Sequence, residues 1–208
     1  MQKTTQLLLD AQAGDHDALA RFIGATQVEV WNLCRYLGDA RDADDLAQET
    51  FERAISSLHR FRADGSARSW ILSIARHVCA DHVRRSQRRR RRDDRYLQST
   101  MAGGGVGAVV APDDSGRTDL DLLLAALSDD RRVAFVYTQV LGMSYEDAAE
   151  ALDCPIGTIR SRVARARLDL VQMTQAGRDT GRDTGRETGR DTVASMGTNE
   201  RPEATGTS

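Results

Sequence analysis

The feature that most constrains this chain is the stretch from Ser144 to Leu170, SYEDAAEALDCPIGTIRSRVARARLDL. Ser144 followed by Asp147 fits the capping pattern that starts a helix, and Pro155 suits the first turn of a second helix, where its missing N–H costs nothing. Counted at about 100° per residue, the second helix has an inward apolar stripe of Ile159, Val163, Ala166 and Leu170. Two short helices joined by a turn over residues 152–154 are typical of a helix-turn-helix that enters the DNA major groove.

The outward face of the second helix carries polar and positively charged side chains. The N-terminal half of a recognition helix reaches base edges and phosphates. The residues expected to contact DNA are therefore Thr158, Arg160, Ser161 and Arg165, with Arg162 or Arg167 on phosphate. An arginine-coated surface helix in a helical bundle is the alternative, but the turn, the cap and the stripe together favour DNA binding.

A second amphipathic helix is predicted from about residue 43 to residue 58. Its inward face consists of Leu46, Thr50, Phe51, Ala54 and Leu58. The other face carries Asp45, Gln48, Glu49 and Glu52. By charge alone, this acidic face is either solvated surface or a docking site for a basic partner.

A third helix, predicted from about residue 68 to residue 87, has an apolar stripe of Leu72, Ala75, Cys79 and Val83. His77, Asp81 and Arg84 align at i, i+4 and i+7 on a different side. The run from Arg88 to Arg92 supplies salt-sensitive affinity for phosphate, or is a solvated tail. The side chains of His77, Cys79 and His82 diverge around one helix, so no metal site and no cofactor are expected.

The 208 residues are expected to form an all-α protein with two small helical domains. Helical periodicity over residues 5–92 defines the first domain. Residues 93–117, rich in Gly, Asp and Ser, predict a flexible linker that spans about 80 to 90 Å when extended. Residues 118–175 predict the second domain, with Leu120, Leu123, Leu124 and Leu127 on one stripe. Residues 176–208, which contain a repeat of the type GRDT over 177–192, are expected to be disordered.

Composition narrows the class of protein further. The net charge of -2 hides segregation, because residues 1–58 carry 5 Lys/Arg against 10 Asp/Glu, whereas residues 76–95 carry 9 Arg against 3 Asp. Three widely spaced cysteines indicate neither a disulfide framework nor a zinc site, and favour a reducing cytoplasm. No run approaches the roughly 18 to 20 apolar residues of a membrane span. No set of nucleophile, base and orienting group emerges, so an enzyme is not expected.

Three motifs together resemble the extracytoplasmic-function sigma factors, small two-domain subunits of bacterial RNA polymerase. DADDLAQETFERA resembles region 2.2, FRADGSARSWILSIARHVCADHVRR resembles regions 2.3 and 2.4, and SYEDAAEALDCPIGTIRSRVARAR resembles region 4.2. The resemblance covers about residues 7–172. It implies that Asp45, Gln48 and Glu49 contact the β′ clamp of core polymerase, with Glu52 on the same face.

The resemblance also implies two kinds of promoter contact. Region 2 binds the minus-ten element, where a loop at about residues 61–69 takes a flipped base of the single non-template strand, flanked by His77, Asp81 and Arg84. Trp70 is expected to be a core anchor. Region 4 binds the minus-thirty-five duplex through the helix-turn-helix.

Two other classes of protein remain open from the residues. One is a dimeric helix-turn-helix repressor or activator, which leaves the DDLAQE face unexplained. The other is a helical adaptor that binds polymerase without recognising promoters. An anti-sigma partner is left open, and the promoter sequence, the inducing signal and the role of the repeat tail are not specified by the sequence.

Overall fold

The computed structural model describes residues 2–101 and 118–187, and within these ranges all regular structure is helical. The all-α prediction is confirmed. The α-helices are α1 Gln2–Gln12, α2 His16–Leu37, α3 Ala43–Ser57, α4 Ala67–Met101, α5 Asp119–Ala125, α6 Asp129–Phe135, α7 Tyr145–Ala151 and α8 Ile156–Glu187. Short 3-10 turns cover Ala40–Asp42 and Leu58–Arg60, and a π turn covers Val136–Val140. None of the helices in the described part of the chain is long and apolar enough to cross a membrane.

The first four helices pack around a shared apolar core. Asp15 caps α2 by accepting a hydrogen bond from the Ala18 N–H at 2.9 Å. The largest buried side chains in this group are Leu8, Phe22, Leu33, Ile71 and Leu72. The predicted inward stripes of α3 and α4 contribute to this core, with Leu46, Ala54, Ala75 and Cys79 all buried. The burial of these stripes turns the polar faces of both helices outward.

The helix-turn-helix forms as its local sequence predicts. The Ser144 hydroxyl accepts a hydrogen bond from the Asp147 N–H at 3.0 Å, which starts α7. Pro155 directly precedes α8, and its carbonyl accepts from the Thr158 N–H at 2.8 Å. The stripe of α8 is buried at Ile159, Val163 and Ala166.

One residue of the predicted apolar stripe of α5 is not buried. Leu120 is exposed, whereas the adjacent Asp121 is buried. Asp121 forms a capping box with Thr118 and also pairs with Arg35. Because these polar contacts fix the rotation of α5, they leave Leu120 on its outer side.

Two helices extend beyond the boundaries that composition suggests. α4 continues to Met101, past the predicted linker start at residue 93, because neither proline nor glycine interrupts the chain before Gly103. α8 continues to Glu187, past the predicted tail start at residue 176, through a repeat that contains no proline. The rest of the predicted linker, 102–117, and of the predicted tail, 188–208, lie outside the described residues.

Gly38, directly after the end of α2, lies in a tightly packed part of the core formed by the first four helices. A Cβ on Gly38 would overlap Leu46 Cδ1 and lie 2.7 Å from the Cys34 carbonyl oxygen, a backbone atom with little freedom to move. We therefore expect Gly38→Ala to lower the free energy of unfolding by about 1 to 3 kcal/mol. Urea unfolding followed by circular dichroism measures this change.

Gly24→Ala is the matched control in the same helix. A Cβ at Gly24 meets nothing within 4 Å, so this change should raise the free energy of unfolding by up to about 1 kcal/mol. Equal effects of the two substitutions would contradict the close approach at Gly38.

Candidate nucleic-acid interface

The exposed side of α8 presents the residues that the sequence assigns to DNA. Arg160, Ser161 and Arg165 are exposed, and Thr158 is half-buried. The Ser161 hydroxyl donates to the Thr158 carbonyl at 3.0 Å. Arg162 is held in an ion pair with Asp130 at 2.7 Å. The exposed guanidinium groups of Arg160 and Arg165 therefore suit direct base contacts.

A cavity of about 310 Å³ lies where the flipped-base loop is predicted. Phe61 and Trp70 form an aromatic wall, with ring centroids 5.3 Å apart and planes inclined by 57°. The polar lining comes from Arg60, Arg62, Asp64, Ser66, Ser69 and Ser73. Trp70 also borders an apolar core cavity beside Leu8 and Phe22, so the same ring anchors the core and lines the pocket.

The loop at this cavity is shaped by its backbone. Ala63 has φ of 57°, in the left-handed region that few side chains adopt. Ser66 then caps α4, since its hydroxyl accepts from the Ser69 N–H at 3.0 Å. The strained residue and the cap lie on either side of Asp64 and Gly65, two residues of the loop that line the cavity.

Helix α7 forms part of the wall of this cavity. Glu150 and Ala151 line the cavity opposite the loop. The Glu150 carboxylate lies so near Gly65 that a Cβ there would overlap its Oε1 atom. The helix-turn-helix therefore places a negative charge at the pocket, a contact that the sequence analysis did not predict.

The other predicted DNA-binding residues lie on α4. His77 is exposed, and its Nδ1 is 2.8 Å from the Ser73 carbonyl oxygen. Asp81 accepts hydrogen bonds from Arg53 at 3.1 Å and from Arg84 at 3.0 Å. The hydrogen bond from Arg53 is the main reason why the pKa of Asp81 is lowered. Asp81 thus positions two arginines beside the exposed face of α4.

The acidic face of α3 is close to this cluster. Asp45, Gln48 and Glu52 are exposed, and Gln48 donates to Glu52 at 2.9 Å. Glu49 is half-buried, because it pairs with Arg53 and, at 3.3 Å, with Arg85 of α4. Of the four predicted polymerase contacts, Glu49 alone is tied to α4 in the described structure.

An apolar groove of about 400 Å³ runs beside this acidic face, between α2 and α3. Val28 is 65% exposed there, next to Trp31 and Phe51. The Trp31 indole N–H donates to Asp44 at 2.9 Å. This groove was not predicted from the sequence, although a valine on the outward side of α2 is a signal that could have shown it.

The described residues up to Leu170 form one compact unit, in which α5 and the π turn pack against α2 and α7 packs against α4. The buried Tyr137 hydroxyl donates to the Leu72 carbonyl at 2.7 Å, and burial raises the pKa of Tyr137. Arg68 donates to the Leu141 carbonyl at 2.6 Å. These contacts hold α7 over the pocket.

An ion pair between half-buried Arg35 and buried Asp121 joins the same two helical groups. Arg35 Nη2 lies 2.8 Å from Asp121 Oδ2, and the two groups share a second hydrogen bond at 3.2 Å. The hydrogen bond from Arg35 is the main reason why the pKa of Asp121 falls to about 2. The guanidinium also lies 5.6 Å from the centre of the Trp31 ring.

Comparison with known proteins agrees with this geometry. Residues 22–89 match the family model for sigma-70 region 2, and residues 117–170 match the model for sigma-70 region 4. A probable RNA polymerase sigma-C factor of Mycobacterium bovis is 47% identical over 171 residues, which cover 80% of this chain and 88% of that protein. The chain belongs to the sigma-70 family. Within that family it is an extracytoplasmic-function sigma factor, and we call its two helical groups region 2 and region 4.

A further relative and two solved structures are also similar to this chain. The RNA polymerase sigma-H factor of Pseudomonas aeruginosa is 30% identical over 175 residues, which cover 80% of this chain and 91% of that protein. The sigma factor RpoE of Bartonella quintana, solved in complex with the anti-sigma factor NepR, matches with a TM-score of 0.54 and 29% identity over 76% of this chain and 96% of its own. CnrH, solved with the cytosolic domain of CnrY, shares the fold with a TM-score of 0.64 at 24% identity, over 84% of this chain and 98% of its own.

The buried pair between regions 2 and 4 predicts a pH dependence of stability. The pKa of Asp121 is depressed in the folded protein to about 2, against about 3.9 in an unfolded chain. Its contribution is therefore present above about pH 4 and is lost as the pH falls from 4 to 2. Asp121→Asn should lower the free energy of unfolding at pH 7 by about 1 to 3 kcal/mol. The difference in the free energy of unfolding between the variant and the wild type should narrow as the pH falls through this range.

Urea unfolding at pH 7, 5, 4 and 3 measures this gap. Asp119→Asn is the control, because Asp119 is exposed on the same helix and its loss should change stability by less than about 0.5 kcal/mol. Wild-type and Asp121→Asn curves that stay parallel over the whole range would show that the pair contributes no pH dependence.

Proposed function

We propose that this sigma factor binds core RNA polymerase, directs it to specific promoters and promotes promoter melting. The observation that carries the proposal is an aromatic cavity of about 310 Å³ at the start of α4 in a chain that also presents an arginine-bearing recognition helix. The first suits an extruded base, and the second suits duplex DNA. A dimeric regulator has no support from the relatives, which are named as sigma factors.

The direct test is transcription with purified core polymerase on fragmented genomic DNA, with and without this protein. RNA starts that appear only with the protein, and that share two spaced upstream elements, would support the proposal. DNA binding without new starts would instead favour a repressor or an adaptor.

Region 4 is proposed to bind the minus-thirty-five duplex. Arg160 and Arg165 are exposed on the outer side of α8, and each bidentate contact from arginine to guanine is worth about 1 to 3 kcal/mol. Arg162 and Arg167 are already engaged, by Asp130 and by Gln139 at 2.7 Å. These two suit phosphate contacts at the edge of the groove.

We expect Arg160→Ala and Arg165→Ala each to reduce affinity for a duplex promoter by roughly 5- to 150-fold. Arg21→Ala removes an exposed arginine from α2, far from α8 in sequence, and should leave this affinity unchanged. Holoenzyme binding to a promoter fragment recovered from the genomic experiment measures the effect.

Binding to core polymerase is the second readout for these variants. It should persist in both arginine variants and should weaken in Glu49→Ala, which lies on the acidic face of α3. The opposite pattern would overturn these residue assignments.

Region 2 is proposed to melt the minus-ten element. Only a surface that binds unpaired DNA better than duplex shifts this equilibrium. Extrusion of a base costs a few kcal/mol, and stacking on an aromatic ring returns about 1 to 3 kcal/mol per base. The rings of Phe61 and Trp70 are positioned to supply this stacking, with hydroxyl groups of Ser66 and Ser69 nearby.

The position of Glu150 affects how readily an extruded base can enter the cavity. Its carboxylate lines the pocket and would repel an incoming phosphate. A base therefore enters the cavity more readily when α7 has moved away from the loop. The packing of region 4 on region 2 competes with binding of the single strand.

We expect Glu150→Gln to raise the affinity of the free protein for a single-stranded minus-ten oligonucleotide by roughly two- to fivefold, the size of an exposed charge interaction. Glu146→Gln is the matched control, since Glu146 is exposed on the same helix but does not line the pocket. Fluorescence anisotropy measures both affinities. An equal gain in the two variants would indicate general charge attraction rather than relief at the pocket.

Core polymerase is proposed to bind the acidic face of α3 together with the adjoining groove. Exposed Asp45, Gln48 and Glu52 suit a basic partner such as the β′ clamp, and the groove beside Val28 offers apolar area that a protein interface requires at its centre. An anti-sigma factor is proposed as a regulatory partner. The support for that partner is the likeness to a sigma factor that was solved with one.

A further inference from the structure

A small polar cavity lies between region 2 and region 4. Its volume is about 180 Å³, and its walls come from the end of α2, the turn at Asp39 and Ala40, the arginine run of α4, and helices α5 and α6. Three arginines line the cavity, Arg35 and Arg90 from region 2 and Arg132 from region 4. Because guanidinium groups repel one another, three of them around one small space suit a negatively charged ligand.

The two aspartates that also line this cavity already have partners. Asp121 accepts two hydrogen bonds from Arg35, at 2.8 and 3.2 Å. Asp39 accepts a hydrogen bond from the Arg41 N–H at 3.2 Å, and its carboxylate lies 3.8 Å from the Arg41 guanidinium. A carboxylate that is paired with a guanidinium opposes an incoming anion less than an unpaired one does. Three arginines against two aspartates leave the lining with a formal charge of +1.

Arg132 carries a buried hydrogen-bond donor that is not used. Its side chain is 15% exposed, and its Nη2 atom donates to Asp129 at 2.7 Å. Its Nε atom is buried and has no hydrogen-bond partner among the residues that the structure describes. A buried donor of a charged group is costly to leave unsatisfied, and a bound ion is one of the partners that satisfy such a group. Arg132 therefore gains a hydrogen bond if an anion occupies the cavity.

The other two arginines have donors available for the same ligand. The guanidinium carbon of Arg35 lies 5.6 and 5.9 Å from the centres of the Trp31 and Tyr36 rings, which fix its position. The bonds from Arg35 to Asp121 use two of its five N–H groups and leave the others available. Arg90 is exposed and forms no ion pair within the described part of the chain.

We propose that this cavity binds a small phosphate-type anion, of the size of phosphate or pyrophosphate, which bridges Arg132 of region 4 to Arg35 and Arg90 of region 2. The planar guanidinium group matches a pair of phosphate oxygens. The volume of the cavity limits the size of the ligand, because sites that enclose a drug-sized molecule measure roughly 300 to 1,000 Å³. The ligand is therefore a free ion or the phosphate end of a nucleotide whose nucleoside stays outside.

A bound anion stabilises the packed arrangement of the two regions. The three arginines surround one cavity only while region 4 lies on region 2, since α6 carries Arg132 and helices α2 and α4 carry the other two. A ligand shifts an equilibrium toward the state that it binds more tightly, so the anion opposes separation of the regions. This consequence rests on the proposed function, in which a base enters the cavity beside Trp70 more readily when α7 has moved away. The anion should therefore weaken binding of single-stranded DNA to the free protein.

The binding test needs no DNA. The full chain is titrated with pyrophosphate, inorganic phosphate and ADP by isothermal calorimetry, without divalent cations and at constant ionic strength. We expect pyrophosphate to bind at one site per chain. Arg132→Lys should raise its dissociation constant by roughly tenfold or more, because lysine keeps the charge but lacks the planar set of N–H donors. Arg90→Gln should raise it by roughly two- to fivefold, the size of an exposed charge interaction.

Arg89→Gln is the matched control for Arg90→Gln. It removes the same charge from the neighbouring position, but Arg89 lines a different groove of α4. Its dissociation constant for pyrophosphate should equal that of the wild type. Equal weakening in the two glutamine variants would show that the arginine run attracts anions in general, and would overturn the inference. Arg90 is exposed, so its variant keeps the test decisive if Arg132→Lys does not fold.

The second readout is binding of a single-stranded minus-ten oligonucleotide to the free protein. Pyrophosphate at ten times its wild-type dissociation constant should lower this affinity by up to about tenfold in the wild type, and by no more than about twofold in Arg132→Lys. An equal loss in both proteins would show direct competition for DNA-binding arginines and would overturn the bridging role.

The two ligand sources and the two proposals are separated by the same measurements. ADP that binds as tightly as pyrophosphate would identify the phosphate end of a nucleotide as the ligand, and weaker binding of ADP would identify the free ion. Absence of binding by all three compounds, with promoter-directed transcription intact, would overturn this inference alone. Pyrophosphate binding that depends on Arg132 in a protein that directs no transcription would support the anion site and overturn the proposed function.

Discussion

The rotation of α4 about its own axis is the constraint on which both regions of this sigma factor depend. Burial of Ile71, Leu72, Ala75, Val78 and Cys79 locks one side of the helix into the region 2 core. Because side chains of a helix keep fixed angles to one another, this burial also fixes where the opposite side points. The cavity beside Trp70, the exposed His77 and the arginines at positions 88–92 follow in order along this helix. A single packed stripe therefore positions three separate features of the surface.

Charge pairing connects this helix to the surface proposed for core polymerase. Glu49 binds both Arg53 and Arg85, while Arg53 also binds Asp81, which in turn holds Arg84. A partner that engages Glu49 would compete with Arg85 for the same carboxylate. Removal of one charge in such a network affects its neighbours as well. The acidic face of α3 and the side of α4 that carries Asp81 and Arg84 are thus physically linked, although sequence patterns present them as separate motifs.

The parts of the fold that local sequence determines were predictable. Ser144 with Asp147, Pro155 and the stripe through Ile159 act within a few residues of each other, so they specify the helix-turn-helix without tertiary information. The buried Asp121 was not predictable, because its partner Arg35 lies 86 residues away in the chain. For the same reason, no local pattern places Glu150 at a pocket formed by residues 61–73.

The contacts between regions 2 and 4 determine how much free energy is needed to separate the two regions. The bond from Tyr137 to Leu72 is buried, and the pair of Arg35 with Asp121 is nearly so, which makes both costly to leave unsatisfied. A ligand separates the two regions only to the extent that it binds the separated form more tightly. An extruded base beside Trp70 would have such a preference, because it needs the space next to Glu150, whereas Arg160 and Arg165 on α8 are already exposed while the two regions are packed together. Capture of a base at this cavity, rather than binding of duplex at α8, would therefore favour separation of the two regions.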